Sequence, residues 1–102
     1  MMADINEIEA ALRARMEGRK PIGKTIKFDL KGDGFLFIDG VSNPPTIAQE
    51  DGKADATITI SIDDLVGLVD GSLQGQSLMM TGRAKMSGNP MVAMKLGELL
   101  LP

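Results

Sequence analysis

The chain has 102 residues, 43% of them hydrophobic, and a net charge of −3, which fits one ordinary globular domain over residues 1–102. It contains neither cysteine nor histidine, which excludes disulfides and thiolate chemistry and removes the commonest general base and metal ligand. The excess of acidic residues also argues against a nucleic-acid partner. The sequence therefore predicts no catalytic residues, no metal or cofactor site and no nucleic-acid site.

Hydrophobic spacing and capping residues divide the chain into eight predicted elements. In chain order they are a helix at residues 4–17, strands at 24–31, 35–39, 46–49 and 54–62, a helix from the Ser61 cap to Gly71, a strand at 78–87, and a helix from the Asn89 cap to Leu101. Strand 35–39 is apolar on both faces, which predicts a central position. The order α-β-β-β-β-α-β-α predicts an α+β fold, a mostly antiparallel sheet with helices packed on one face.

The last helix carries more apolar surface than one sheet face needs. Between Met91 and Leu101 the polar residues are Lys95 and Glu98, and a helix that is apolar over more than one stripe requires cover on more than one side. The cover is the protein core, a ligand or a second subunit. Four flexible methionines on the last strand and the last helix suit such an exchangeable surface: Met80, Met86, Met91 and Met94.

Two charged features have ordinary structural interpretations. Asp63 and Asp64 are adjacent in a predicted first helical turn, where they do not face each other and where acids stabilise the helix end, so we do not assign them a catalytic role. Basic residues cluster at the end of the first helix, as solvated helix ends often do, although such a cluster also suits lipid phosphates or a coenzyme tail. They are Arg13, Arg15, Arg19 and Lys20.

The segments ADATITISIDDLVGLVDGSL and MMTGRAKMSGNPMVAMKLGELL resemble the sterol carrier protein-2 (SCP2) family of lipid-binding domains. The shared pattern is Ala54-Asp55 with alternating Thr and Ile, an acidic helix start after Ser61, a basic segment from Gly82 to Asn89, and a Met-Lys-Leu helix. The resemblance covers about residues 5–100. It implies a five-stranded sheet, helices on one face and an apolar tunnel between the layers that binds fatty acids, acyl-CoAs, sterols, phospholipids or isoprenoid lipids without covalent chemistry.

The leading hypothesis is therefore a non-enzymatic lipid carrier or lipid-presenting domain. The inward residues of the last two strands and the last two helices are predicted to line its tunnel: Ile58, Ile60, Leu65, Leu68, Val69, Leu78, Met80, Ala84, Met86, Met91, Met94 and Leu99. The alternative is a dimerisation or scaffold module that supports a lipid-metabolising enzyme through the last helix. No signal peptide, membrane-spanning run or peroxisomal terminal tripeptide is recognisable, so we expect a cytoplasmic protein with at most transient membrane contact.

Overall fold

The structure, a computed structural model, describes residues 4–100, except the side chains of residues 93, 94, 97 and 98. Within this part of the chain the elements are α1 (Ile5–Met16), β1 (Thr25–Asp29), β2 (Phe35–Asp39), β3 (Thr46–Ala48), β4 (Ala56–Thr59), α2 (Ile62–Asp70), α3 (Gly75–Met80), β5 (Lys85–Gly88) and α4 (Pro90–Leu100). The predicted α+β class is confirmed, and α3 is an element that the sequence did not predict.

The five strands form one sheet in the order β3-β2-β1-β4-β5. β1 runs parallel to β4, and the other three pairs are antiparallel, which confirms a mostly antiparallel sheet. β2 has a partner strand on both sides, as its apolar character predicts, but the central position belongs to β1. The parallel pair arises because residues 49–55 return the chain to the end of the sheet at which β1 begins.

One face of the sheet is covered and the other is only half-buried. Ile26 and Phe28 of β1, with Leu36 and Ile38 of β2, have no exposed surface, whereas the residues between them on each strand are half-buried. α1 packs against β3, α2 and α4, and α4 packs against β1 and β4. The core therefore lies between the sheet and the helices.

The apolar stripe of α4 is buried within its own chain. Val92, Leu96, Leu99 and Leu100 are at most 7% exposed, whereas Met91 in the first turn remains 60% exposed. These four side chains are thus buried in the core of their own chain. Among the residues that the structure describes, no helix has both the length and the hydropathy needed to cross a bilayer.

The predicted strand at residues 78–87 is wrong in its first half. The helix α3 occupies residues 75–80 instead, with Leu78 buried, Met79 exposed and Met80 78% exposed. The Ala84 N–H donates to the Leu78 carbonyl at 3.0 Å, which closes the turn before β5. A helical turn directs neighbouring residues to different sides, so Leu78 enters the core while Met80, predicted to face inward, faces solvent.

Asp64 has a partner that its position in a first helical turn does not predict. Its carboxylate is buried and accepts two hydrogen bonds from the Arg83 guanidinium, of which the bond from Nε to Oδ2 is 3.2 Å. The Lys31 ammonium donates to the Arg83 carbonyl at 3.0 Å. The ion pair ties the start of α2 to the turn before β5, and the Lys31 hydrogen bond ties that turn to the β1–β2 hairpin.

We expect Arg83→Met to lower the free energy of unfolding by about 1–3 kcal/mol, because the buried Asp64 carboxylate loses its donors. Urea denaturation followed by circular dichroism measures this change. Lys85→Met removes the same charge at an exposed site two residues away, and its effect should stay within about 0.5 kcal/mol. Equal effects of the two substitutions would contradict a structural role for the ion pair.

Candidate functional site

The twelve residues that were predicted to line a binding site differ in their burial. Seven lie together in the buried apolar core: Ile58, Ile60, Leu65, Val69, Leu78, Ala84 and Leu99. Leu68 and Met86 are half-buried and pack against that core. Met80 and Met91 are exposed, and the side chain of Met94 lies outside the described residues. The sequence therefore identified a real apolar cluster but assigned two solvent-facing methionines to it.

The layer between sheet and helices is almost wholly hydrocarbon. Ile26, Phe28 and Ile58 belong to its sheet side, and Val92 and Leu96 belong to its helix side. Among the described residues the buried polar or charged side chain is Asp64, which Arg83 pairs. Within the described part of the chain this interior presents no acid–base pair to a reactant, and it is suited to shelter hydrocarbon.

The apolar interior reaches the surface along β5. Met86 stands opposite Ile58 in the β4–β5 register, on the same face of the sheet. Ile58 is 8% exposed, and Met86 is half-buried. Because β5 is an edge strand, no further strand covers this border. Met86 is also unbranched and adaptable, so it can move without disturbing the sheet.

Two of the surface cavities lie along α1, a helix that was not among the elements predicted to line the tunnel. One, of about 750 Å³, lies between the C-terminal half of α1 and residues 44–47. The other, of about 460 Å³, lies between α1 and α2, and Val69 is the predicted site residue that lines it. The signal in the sequence was the run of small residues on the outer face of α1, such as Ala10, Ala11 and Ala14, which leaves space beside the helix.

Two arginines at the α1 cavities, Arg13 and Arg15, interact with acidic residues of the chain. The Arg13 guanidinium donates to Glu9 at 2.5 Å and to the Ile47 carbonyl at 3.1 Å, which ties α1 to β3. The hydrogen bond from Gln49, followed by that from Arg13, holds the pKa of Glu9 below its ordinary value despite some burial. At the cavity between α1 and α2, hydrogen bonds within the chain lower the pKa of Asp70, and the charge of Arg15 adds to this effect. Arg13 and Arg15 of the predicted basic cluster thus have acidic neighbours.

Comparison with known proteins places this arrangement among lipid-binding domains. The model of a family described as "SCP-2 sterol transfer family" matches residues 5–101. Sterol carrier protein 2 of Oryctolagus cuniculus is 44% identical over 88 residues, which make up 80% of this chain and 16% of that protein. A fatty acid-binding protein of Yarrowia lipolytica is 38% identical over 80 residues, covering 76% of this chain and 57% of that protein. The chain thus spans less than a fifth of the length of the Oryctolagus cuniculus protein.

A solved structure agrees with the described architecture. The solution structure of sterol carrier protein-2 from Aedes aegypti, in complex with palmitate, superimposes with a TM-score of 0.78. The match covers 99% of this chain and 97% of the mosquito protein at 20% sequence identity. At that identity the likeness establishes the fold, a five-stranded sheet with helices over one face.

Proposed function

The chain belongs to the SCP-2 sterol transfer family, and we propose that it binds a lipid with a long acyl tail in the apolar space between its sheet and its helices. The protein holds the lipid without covalent chemistry and releases it unchanged, as a carrier or a presenting domain. Among the twelve predicted lining residues, the buried seven with Leu68 and Met86 form the wall. Met80 and Met91 are not part of this wall.

The observation that carries this proposal is a hydrocarbon interior that reaches the surface at one border, beside Met86. An acyl chain that enters there meets apolar side chains alone, and a carboxylate or headgroup remains in water at the border. The relatives support the same ligand class, since one is named a fatty acid-binding protein and another was solved with palmitate.

The energetics of such binding are favourable without a charged anchor. Burial of a sixteen-carbon tail at about 0.8 kcal/mol per methylene gives on the order of 10 kcal/mol. The loss of ligand freedom and the ordering of side chains offset several kcal/mol of this gain. The expected dissociation constant is therefore about micromolar, which allows both capture and release.

The test is displacement of a fluorescent fatty acid by palmitate, together with native mass spectrometry of protein purified without detergent. We expect bound lipid in the mass spectrum and displacement at micromolar concentrations. Met86→Glu should weaken binding about tenfold or more, because a carboxylate at the border must be desolvated when the tail enters. Met80→Glu makes the same substitution at a solvent-facing site and should bind as the parent protein does.

Matched folding measurements keep this test interpretable. Both variants are compared by urea denaturation first, and Met86→Leu, which keeps volume and apolar character, should retain binding. Protein that is always ligand-free and displaces no fluorescent fatty acid would refute the proposal. Equal losses in the Met86 and Met80 variants would refute the position of the border.

A further inference from the structure

The thioethers of methionine are the side-chain groups of this chain that an aqueous peroxide attacks most readily. The sequence contains eight methionines but no cysteine, histidine, tyrosine or tryptophan. A peroxide converts the thioether to a sulfoxide, which turns a flexible apolar side chain into a polar one. A response of this protein to peroxide through side-chain oxidation therefore has to act at a methionine.

The described methionine side chains differ in how well water reaches them. Met79, Met80 and Met91 are exposed, and Met16 of α1 is buried. Met86 of β5 lies between these extremes because it is half-buried. Since access to the sulfur controls its oxidation, we expect the three exposed methionines to react first, Met86 next and Met16 last.

Met86 is the described methionine that water can reach and that also packs against the core at the lipid border. Its side chain contacts the buried apolar cluster, and it stands opposite Ile58 in the β4–β5 register. β5 is an edge strand, so no further strand shields the thioether from an oxidant. Met80, by contrast, faces solvent, and Met16 is out of reach.

A sulfoxide oxygen on Met86 finds no free polar side chain on the core side of the sheet. Ile58 lies opposite, and Ile60 belongs to the same buried cluster. Among the described residues the buried polar side chain is Asp64, whose carboxylate already accepts hydrogen bonds from Arg83. Because burial of an acceptor without a donor is unfavourable, the oxidised side chain turns outwards to water.

The outer edge of β5 can receive the oxidised side chain. Lys85 and Ser87, which flank Met86 on the strand, are exposed. An edge strand also presents backbone N–H groups that no neighbouring strand pairs, and these can donate to an oxygen. Oxidation therefore draws Met86 away from Ile58 and places a polar group where an acyl tail enters.

We propose that Met86 is a redox-sensitive site whose oxidation by an aqueous peroxide makes the protein release its lipid. The inference rests on the proposed function, because it requires an acyl tail that passes Met86. The thioether packs along such a tail, whereas the sulfoxide has to lose water whenever a tail enters. Retention of the lipid thus depends on the oxidation state of one side chain at the border.

The chemical step transfers one oxygen atom from hydrogen peroxide to the sulfur of Met86. The sulfur lone pair attacks one peroxide oxygen, so an S–O bond forms and the O–O bond breaks. The other oxygen leaves as hydroxide and takes the proton of the transferred oxygen, which gives water and a neutral sulfoxide. The sulfur loses two electrons to the peroxide, and thiol-dependent methionine sulfoxide reductases reverse the change.

The test measures oxidation and lipid affinity on the same samples of protein treated with hydrogen peroxide. Peptide mass spectrometry gives the sulfoxide fraction at each methionine, and displacement of a fluorescent fatty acid by palmitate gives the affinity. We expect the affinity to fall about fivefold or more as Met86 is oxidised, because a polar group at the border must be desolvated. The loss should lag behind the oxidation of Met80, and methionine sulfoxide reductases with a thiol should restore the affinity.

Met86→Leu and Met80→Leu provide a matched pair for this experiment. After peroxide treatment, Met86→Leu should keep the affinity that it had before the treatment, since leucine has no sulfur to oxidise. Met80→Leu should lose affinity about fivefold or more, as the parent protein does. Palmitate bound before the treatment should slow the oxidation of Met86 and leave that of Met80 unchanged.

Failure of the redox site can be told apart from failure of the lipid site. Protein that exchanges fatty acid but keeps its affinity when Met86 is fully oxidised overturns the redox site and leaves the lipid site intact. A loss of affinity that follows Met80, that persists in Met86→Leu, or that accompanies unfolding in circular dichroism also overturns the redox site. Untreated protein that takes up no fatty acid overturns the lipid site, and the redox site with it.

Discussion

Replacement of Leu99 by alanine is expected to lower the free energy of unfolding by about 3 kcal/mol, within the usual range for a buried leucine. Leu99 has no exposed surface, and it belongs to the same apolar cluster as Leu12 of α1 and Phe28 of β1. The substitution therefore leaves a cavity where helices and sheet meet. Its cost depends on how far α4 can move to close that cavity.

Urea denaturation measures the change, with Met91→Ala as the control on the same helix. Met91 is 60% exposed, so its truncation should change stability by about 0.5 kcal/mol or less. Sedimentation velocity on both variants completes the experiment, and neither substitution should alter the oligomeric state. A Leu99→Ala protein of unchanged stability but altered mass would show that the helix packs against another chain instead.

This result bears directly on the alternative of a dimerisation or scaffold module. That hypothesis predicts a dimer that Leu99→Glu or Leu100→Glu disrupts. Both leucines are buried within a single chain, so a glutamate at either position would destabilise the monomer itself. Loss of assembly in those variants would not separate the two functions. Among the α4 side chains that the structure describes, the exposed Met91 is the apolar one that can report on external contact.

Local sequence rules predict the first half of the chain well, because its signals agree with one another. Asp4, the first residue of the predicted helix, caps α1 by accepting the Glu7 N–H at 2.8 Å, and Ile8, Leu12 and Met16 form the buried stripe of that helix. The alternating residues of β1 and β2 likewise give one buried face and one half-buried face. Here capping, periodicity and burial all favour the same structure.

The same rules fail at α3, where the alternation is too short to identify a strand. Leu78, Met80, Ala84 and Met86 satisfy a spacing of two, but a single helical turn also places Leu78 inward. Ala84 and Met86 do face the core from the turn before β5 and from β5 itself. The Ala84 N–H donates to the Leu78 carbonyl across the turn, a contact that periodicity cannot reveal.

Long-range charge pairing was equally beyond the sequence. Arg83 and Asp64 lie 19 residues apart, and a cation in a turn looks like any solvated charge until the fold brings the acid to it. Lys20, Lys24 and Lys53 likewise come to one end of the sheet only through the strand order. Binary patterning locates the core, whereas topology locates the charged surfaces.

Gly88→Ala is expected to lower the free energy of unfolding by about 3 kcal/mol or more, because strain and steric overlap add together. Gly88 has φ +93°, and a Cβ there would lie 2.4 Å from the Asp55 carbonyl oxygen and 3.0 Å from the Ala56 Cα. The last residue of β5 therefore approaches the start of β4 more closely than any side chain permits. The same strand end leads through Asn89 into α4, so the substitution pushes the roof of the core away from the sheet.

Gly82→Ala is the matched control for this close approach. Gly82 also has a positive φ, +76°, but a Cβ there would meet no atom within 4 Å. Gly82→Ala should lower the free energy of unfolding only by the cost of the positive φ, about 1–2 kcal/mol. Urea denaturation of both variants isolates the contact with Asp55, and equal losses would show that backbone strain alone matters at Gly88. If the larger loss appears, the Gly88 variant should also bind palmitate more weakly, because the position of α4 over β4 defines the apolar space.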